Sequence, residues 1–239
     1  MENFPCCFSF PTIIPRQLWS RHMDTIKLCQ ILRDAYIRAR ASSIKDSKAH
    51  AQSQLSEIHS ARSSAWVEQL ANALVEYESS GEQTVGKNEV RPFYRKNPDN
   101  TQDFGLNEFL RDICIARIGE VSANIHDTTL KTVTRVHWQV ESEFSSNTRE
   151  AVKDFNKLVA GSADNTLFVG PYHGDSSRQA RSAASGYREV LRSVLNNVDI
   201  RSDENWYLGI VPHPNRWKHN EANEVKCWRF VRVGNWMRT

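Results

Sequence analysis

Apolar residues recur along the chain with two periods, one typical of helices and one typical of strands. The helical period is clearest in "SSAWVEQLANALVEYESSG", where Trp66, Leu70, Leu74 and Tyr77 form one stripe. Residues 24–60 are polar, rich in Ala, Ser and Gln, and contain neither Pro nor Gly, so they are also predicted to be helical. "NTREAVKDFNKLVAG", which opens on an Asn-Thr cap, and "SRQARSAASGYREVLRSVLNN" are two further amphipathic helices.

Other segments have the period or composition of strands. "EVRPFYRK" is typical of an edge strand because it contains Pro, and "VHWQVESEF", "NTLFVGPY", "NWYLGIVPH" and "VKCWRFVRV" are also predicted as strands. In "NEFLRDICIARIG" a strand is favoured over a helix, because Ile113 and Ile115 alternate with Asp112 and Cys114. "NPDNTQDFG" has the composition of a loop. The order of helix, three strands, helix, strand, helix and strands predicts an α/β fold with a mixed central sheet flanked by helices.

The strand "VHWQVESEF" has one apolar face and one polar face, because side chains alternate along a strand. The apolar face is expected to carry Val136, Trp138, Val140 and Phe144. The polar face is expected to carry His137, Gln139, Glu141 and Glu143. Two carboxylates on one face repel each other, and each raises the pKa of the other unless a cation lies between them. The pattern therefore predicts a cation site, the alternative being an ordinary exposed face.

A length of 239 residues allows one large domain, or a compact domain with an appendage. We expect residues 1–22 to be a disordered leader, with translation beginning at Met23, because the stretch lacks the pattern of a signal peptide. Residues 23–62 are predicted to form an N-terminal helical arm, and residues 63–239 the α/β domain. The arm is the candidate surface for a homodimer or for contact with another partner.

The composition, 39% hydrophobic and 25% charged residues, is that of a soluble globular protein. No apolar run is long enough to span a membrane, so no membrane partner is expected. The formal net charge of +3 does not by itself identify a nucleic-acid partner. The five cysteines have neither zinc-site nor disulfide-framework spacing, which favours a reducing cytoplasm.

The run "NEFLRDICI", then "VHWQVESEF", then a helix carrying "VKDFNKLVAG", resembles the PD-(D/E)XK, or restriction-endonuclease-like, nuclease superfamily. The resemblance covers roughly residues 63–172 and implies a core of a helix, a three-stranded meander, a crossover helix and a further strand. In that family an Asp on the second strand and an acid on the third bind a divalent metal, roles that fall here on Asp112 and Glu141. A Lys usually stands two positions after the third-strand acid, where this chain has Glu143. Lys157 on the following helix, one turn beyond Lys153, is the preferred stand-in.

The chemistry of phosphodiester cleavage fits the same residues. Hydrolysis needs a water made more acidic and negative charge neutralised on the phosphate, and Mg²⁺ or Mn²⁺ held by a few carboxylates supplies both. Glu108 lies four residues before Asp112, on the same face if the strand extends that far, and is a candidate third metal ligand. Gln139 is a candidate for positioning water, and Glu68 or Glu76 for an upstream acid. The alternative is that Glu108 and Asp112 lie on a solvated helix.

Basic residues suggest where a polyanion would bind. Arg178, Arg181, Arg188 and Arg192 recur at helical spacing opposite an apolar face. In "NRWKHNEANEVKCWRFVRVGNWMR", basic residues including Lys218 are interleaved with Trp217, Trp228 and Trp236. Basic groups can neutralise phosphates and aromatic rings can stack on bases, although burial of the Trp residues is the simpler expectation.

These features lead to one main hypothesis and two alternatives. The main hypothesis is a metal-dependent nuclease that hydrolyses DNA, with Asp112 and Glu141 holding the metal, Glu143 adding a ligand or orienting water, and Lys157 stabilising developing charge. The first alternative is a non-catalytic protein of the same fold that binds nucleic acid or protein, which the Glu at position 143 motivates. The second is an α/β protein of another kind, in which the acidic residues do not converge.

Overall fold

The computed structural model describes residues 23–46, 55–81, 89–123, 128–145, 147–173, 177–201, 203–217, 221–231 and 235–237. The helices are α1 (Thr25–Asp46), α2 (Leu55–Gly81), α3 (Asp99–Phe104), α4 (Thr148–Val159) and α5 (Ser177–Leu195). The strands are β1 (Glu89–Phe93), β2 (Ile113–Ala123), β3 (Thr128–Ser142), β4 (Asn165–Tyr172), β5 (Asn205–Pro212), β6 (Lys226–Val231) and β7 (Asn235–Met237). Two short 3-10 helices, Pro214–Arg216 and Glu221–Glu224, lie between β5 and β6. The predicted leader lies outside the described residues.

The strands form one mixed sheet of seven strands in the order β1 to β7. The pairs β1–β2 and β2–β3 are antiparallel, and β3–β4 and β4–β5 are parallel. The pairs β5–β6 and β6–β7 are again antiparallel. Parallel neighbours need a crossover connection, and α4 and α5 provide the two that this sheet requires. The predicted α/β class with a mixed central sheet is confirmed.

Helices cover both faces of the sheet, which makes three layers. On one face α1 and α2 pack on the side chains of Ile113, Ile115, Trp138 and Val140 and of their neighbours in β4 and β5. On the other face α4 and α5 pack on alternate residues of β4 and β5. All residues of β4 and β5 are buried, as expected for strands that have helices on both sides. None of the described helices is long and apolar enough to cross a membrane.

Helix α1, predicted as part of an N-terminal arm, belongs to the main core. Leu28, Leu32 and Tyr36 are completely buried in the cluster that also contains the sheet side chains. Leu32 lies over Gly209 of β5, where a Cβ would come within 2.7 Å of its Cδ1 atom, so the absence of a side chain at Gly209 allows the helix to approach. The boundary expected at residue 62 falls inside α2, because the predicted second helix begins at Leu55 rather than near residue 63.

Three local predictions need correction. The segment "NPDNTQDFG" contains the short helix α3, which ends at Gly105 with a φ of 68°. The strand predicted across residues 107–119 begins only at Ile113, so Glu108 and Asp112 precede it. The apolar face of β3 does not include Val136, because the register shifts between Trp138↔Ile115 and Val136↔Ala116. This bulge at His137 places Val136 in a separate cluster with Cys114 and Ala116.

If α1 is part of the core, truncating one of its buried side chains should destabilise the whole protein. We expect Leu32→Ala to lower the free energy of unfolding by about 2 to 5 kcal/mol, because it leaves a cavity between α1 and the sheet. Ile37→Ala, on the same helix at a side chain that is 46% exposed, is the matched control and should change it by less than about 1 kcal/mol. Urea unfolding measures both, and equally small effects would contradict this packing.

Candidate functional site

Asp112 and Glu141 meet at the end of the β2–β3 ladder. Ile113 pairs with Val140 in antiparallel register, so the next residues outward, Asp112 and Glu141, lie opposite each other. Directly opposed residues of antiparallel strands have side chains on the same face, separated by about 5 Å at Cβ. The Ser142 N–H donates to Oδ2 of Asp112 at 2.8 Å, which fixes this carboxylate against the end of β3. The acids predicted from neighbouring strands therefore converge.

Both carboxylates are placed where their charged forms are disfavoured. Glu141 is only 1% exposed. Burial raises its pKa to about 8, and the charge of Asp112 adds to the shift. Burial also raises the pKa of Asp112 to about 6, although the hydrogen bond from Ser142 opposes the change. Oε1 of Glu141 is buried and accepts no hydrogen bond from any described residue. A carboxylate oxygen in this condition needs a cation or a proton.

Lys157 reaches this pair from α4. Its Nζ lies 3.4 Å from Oε2 of Glu141 and 2.7 Å from Oδ1 of Asp154. Burial alone would lower the pKa of Lys157, but the hydrogen bond to Asp154 and the charge of Glu141 raise it, so the amine stays charged. Lys153, one turn earlier, points to solvent and pairs with Glu150 at 3.1 Å. Of the two lysines that the sequence offered, the preferred Lys157 is therefore the one beside the acids.

Asp154 is a member of the cluster that the sequence did not single out. Its carboxyl shares a hydrogen bond with Glu143, and burial together with this bond raises the pKa of Glu143. Burial would also raise the pKa of Asp154, but hydrogen bonds from Glu143 and Lys157 lower it. Glu143 is thus the partner that holds the shared proton. The spacing of Asp154 three residues before Lys157 was the available signal, since residues so spaced are neighbours on a helix.

Of the other predicted participants, one adjoins the acids and one is occupied. Glu108 is exposed in the segment before β2, lines the same cleft as Asp112, and its charge contributes to the raised pKa of Asp112. Its role as a third ligand remains a prediction. Gln139 is buried, and its Nε2 donates to the Leu158 carbonyl and to Oγ1 of Thr166, so it does not position water at the acids.

The two acids suggested on the preceding helix do not reach the site. Glu76 accepts from Arg38 on the surface at 3.1 Å. Glu68 is exposed on α2 and does not line the cleft that adjoins the carboxylates. No upstream acid from α2 therefore joins Asp112 and Glu141.

A cleft of about 830 Å³ adjoins the carboxylates. Its wall on one side is the first half of α2, and its wall on the other side is the turn that follows β1. Asp112 and Glu143 line it, together with side chains of these two walls, among them His59, Ser60, Ser64, Arg95 and Lys96. We call this space the acidic cleft. It gives a ligand access to the end of β3.

Three histidines stack near the acidic cleft, although their sequence positions show no common spacing. The rings of His59 and His173 lie 5.2 Å and 4.4 Å from the ring of His213. His213 contacts the Phe144 carbonyl through Nε2 at 2.9 Å, and its Nδ1 accepts from the Asn215 N–H. Burial lowers its pKa to about 4. With both ring nitrogens bonded and the ring neutral, His213 has a structural role.

Of the four arginines on α5 that are predicted to bind nucleic acid, three are exposed and one is half-buried. Arg178, Arg181 and Arg192 are exposed along α5. Arg188 instead lies half-buried with its guanidinium 5.4 Å from the ring of Trp228. Trp217 and Trp228 are buried at 6% and 4% exposure, so the expectation that they fill the core is confirmed. Lys218 and the side chain of Trp236 lie outside what the structure describes.

The donor set suits a hard divalent cation. Asp112 and Glu141 offer carboxylate oxygens, one of them buried without a partner, and Mg²⁺ is commonly held by one or two carboxylates together with waters and substrate phosphate. Across the described ranges, no group of three or more His, Cys, Asp or Glu side chains is arranged to hold a metal ion. The residues therefore fit an ion that shares its coordination with substrate rather than one enclosed by protein.

Comparison of the chain with protein-family models, with curated proteins and with solved structures found no match. The geometry described above is thus the basis for any functional assignment.

The raised pKa of Glu141 should make the stability of the protein depend on pH. The folded state keeps this proton up to about pH 8, whereas an unfolded Glu loses it near pH 4.5. Stability should therefore fall as pH rises between these values. We expect Glu141→Gln, measured by urea unfolding in EDTA, to flatten this dependence and to be more stable than the wild type at pH 8 by about 1 to 3 kcal/mol. Glu150→Gln on the surface of α4 is the control, and a pH profile unchanged in Glu141→Gln would contradict the assignment.

Proposed function

We propose that the protein is a metal-dependent nuclease that hydrolyses phosphodiester bonds of DNA. The observation that carries the proposal is the pair of opposed carboxylates, Asp112 and Glu141, with the Lys157 amine 3.4 Å from Glu141. Burial disfavours the charged forms of both acids. Two acids and a cation placed together at the end of the β2–β3 strand pair therefore cost folding stability, which a purely structural role would not explain. Such strongly perturbed groups beside a cleft are typical of functional sites.

Each residue has a definite task in this proposal. Asp112 and Glu141 would hold Mg²⁺ or Mn²⁺, which when bound lowers the pKa of water and neutralises charge on the phosphate. Lys157 keeps its proton and stands beside Glu141, where it can stabilise negative charge developing on the phosphate. Asp154 orients Lys157 through the 2.7 Å contact. Glu143, whose pKa is raised by burial and by its hydrogen bond to Asp154, would add a ligand or orient water.

The order of the sheet supports the resemblance to PD-(D/E)XK nucleases. The resemblance implies a helix, a three-stranded meander, a crossover helix and a fourth strand, and α2, β1–β3, α4 and β4 follow one another in this way. Glu143 still differs from the Lys of the family pattern. The hydrogen bond of Glu143 to Asp154, and the delivery of Lys157 from α4, are how this chain would accommodate the difference.

The expected partners and location follow from the same proposal. DNA is the expected substrate, and the exposed Arg178, Arg181 and Arg192 are candidates to contact its phosphates outside the cleft. Among the described residues, Cys29, Cys114 and Cys227 form no disulfide, and the scattered spacing of the cysteines is the basis on which a reducing cytoplasm is proposed. A homodimer through the N-terminal helices would have to use exposed residues such as Ile26 and Ile37, since the inner face of α1 is buried in the core.

Cleavage of single-stranded and duplex DNA and of RNA, with Mg²⁺ or Mn²⁺, tests the activity. We expect Asp112→Asn, Glu141→Gln and Lys157→Gln each to lower the rate by about a hundredfold or more, because each removes charge from the reacting centre. Lys153→Gln is the matched control, one turn away on the same helix. Its side chain is 68% exposed, and the rate should stay within about twofold of the wild type. The absence of cleavage by the wild type would refute the nuclease proposal.

Metal binding separates the enzyme from the non-catalytic alternative. In calorimetry with Mn²⁺, affinity should rise about tenfold for each pH unit between pH 6 and pH 8, because the ion must displace the proton held by Glu141. Glu141→Gln should abolish this binding, and Glu150→Gln should leave it intact. If the wild type binds no divalent ion, the fold serves instead as a binding module.

A further inference from the structure

The turn after β1 is fixed by a backbone hydrogen bond and by two buried side chains. The Asn97 N–H donates to the Tyr94 carbonyl at 2.9 Å and closes a four-residue turn. The side-chain amides of Asn97 and Asn100 both donate to the Pro92 carbonyl at 2.9 Å. Both Asn side chains are buried, so the turn is anchored from below. The two central residues, Arg95 and Lys96, are held outward by this scaffold.

Arg95 and Lys96 are exposed cations without an ion-pair partner among the described residues. By contrast, Arg91 on β1 itself is paired with Asp103 at 2.6 Å. Adjacent unpaired cations on a fixed turn repel each other, and an anion between them would remove that repulsion. The turn is therefore complementary to a group of negative charge.

These two cations line the same acidic cleft as Asp112 and Glu143. On the opposite wall α2 contributes Ser60 and Ser64, whose hydroxyls can donate hydrogen bonds to phosphate or sugar oxygens. One side of the cleft thus attracts a polyanion, and its inner end carries the carboxylates. A ligand that fits both has phosphates at regular intervals along a chain.

Resting on the proposed function, we propose that the acidic cleft binds an unpaired nucleic-acid strand, with phosphates on Arg95 and Lys96 and the neighbouring phosphodiester at Asp112 and Glu141. The volume of about 830 Å³ lies in the range that accepts small molecules, which suits a few nucleotides. A duplex carries two strands and a stack of base pairs and does not enter a space of this size. The substrate is therefore a single strand, a frayed end or a flap.

Binding of a fluorescent oligothymidylate, measured by anisotropy over a series of salt concentrations, tests the inference. All proteins carry Glu141→Gln and all solutions contain EDTA, so that cleavage does not interfere and the result does not depend on catalysis. The slope of log affinity against log salt is about −0.7 for each phosphate neutralised on a single strand. Arg95→Gln/Lys96→Gln should therefore reduce the magnitude of the slope by about 1.4 and weaken binding at least tenfold.

Lys27→Gln is the matched control, because it removes an exposed cation of α1 that does not line the cleft. It should change neither affinity nor slope, whereas Lys96→Gln alone should reduce the slope by about half as much as the double variant. A hairpin duplex of equal length should bind more weakly than the oligothymidylate. Unchanged slope in the double variant, tighter binding of the hairpin, or no binding by the parent protein would each overturn the inference. Failure of the nuclease proposal would show separately, as absent cleavage with strand binding intact.

Discussion

The site depends on one electrostatic constraint, the burial of two carboxylates that face each other at the end of an antiparallel strand pair. Asp112 and Glu141 are brought into opposition by the pairing of Ile113 with Val140; burial disfavours ionisation of both, and the charge of Asp112 further disfavours ionisation of Glu141. A cation is the physical remedy, and among the residues that the structure describes the Lys157 amine is the cation in contact with Glu141. Oε1 of Glu141 remains buried without a hydrogen-bond partner. A divalent cation would satisfy that oxygen.

Strand β3 lets the fold assemble this cluster, because it has an antiparallel neighbour on one side and a parallel neighbour on the other. The antiparallel neighbour β2 is preceded by Asp112. The parallel neighbour β4 can be reached only through a crossover, and the crossover helix α4 carries Asp154 and Lys157 back over the end of β3. The Asn147 cap sets the start of α4 and hence the height of these side chains above the strand. The position of the acidic cluster is in this way a consequence of sheet topology.

The acidic cluster contains more carboxylates than cations, and a polyanionic substrate would be repelled by it alone. The Glu143–Asp154 pair lessens this through a shared hydrogen bond, which raises the pKa of Glu143 and lowers the pKa of Asp154. The Arg95–Lys96 turn lies on the same cleft and supplies positive charge at its rim. Under the proposed function, the cations at the rim would attract a phosphate chain and the carboxylates would hold the metal at which it reacts. Binding and reaction would then depend on different segments of the chain.

The sequence by itself determined the α/β class, the cap of α4, the edge position of the Pro-containing β1 and the polar face of β3 with Glu141. These features are set by local periodicity and backbone chemistry, which neighbouring residues report directly. Tertiary structure decided the bulge at His137, the packing of α1 in the core, the participation of Asp154 and the cleft shared with Arg95 and Lys96. Each of these depends on which distant segments meet. The burial of a side chain, its pKa and its ion pairs depend on tertiary contacts with distant segments, so no local sequence pattern encodes them.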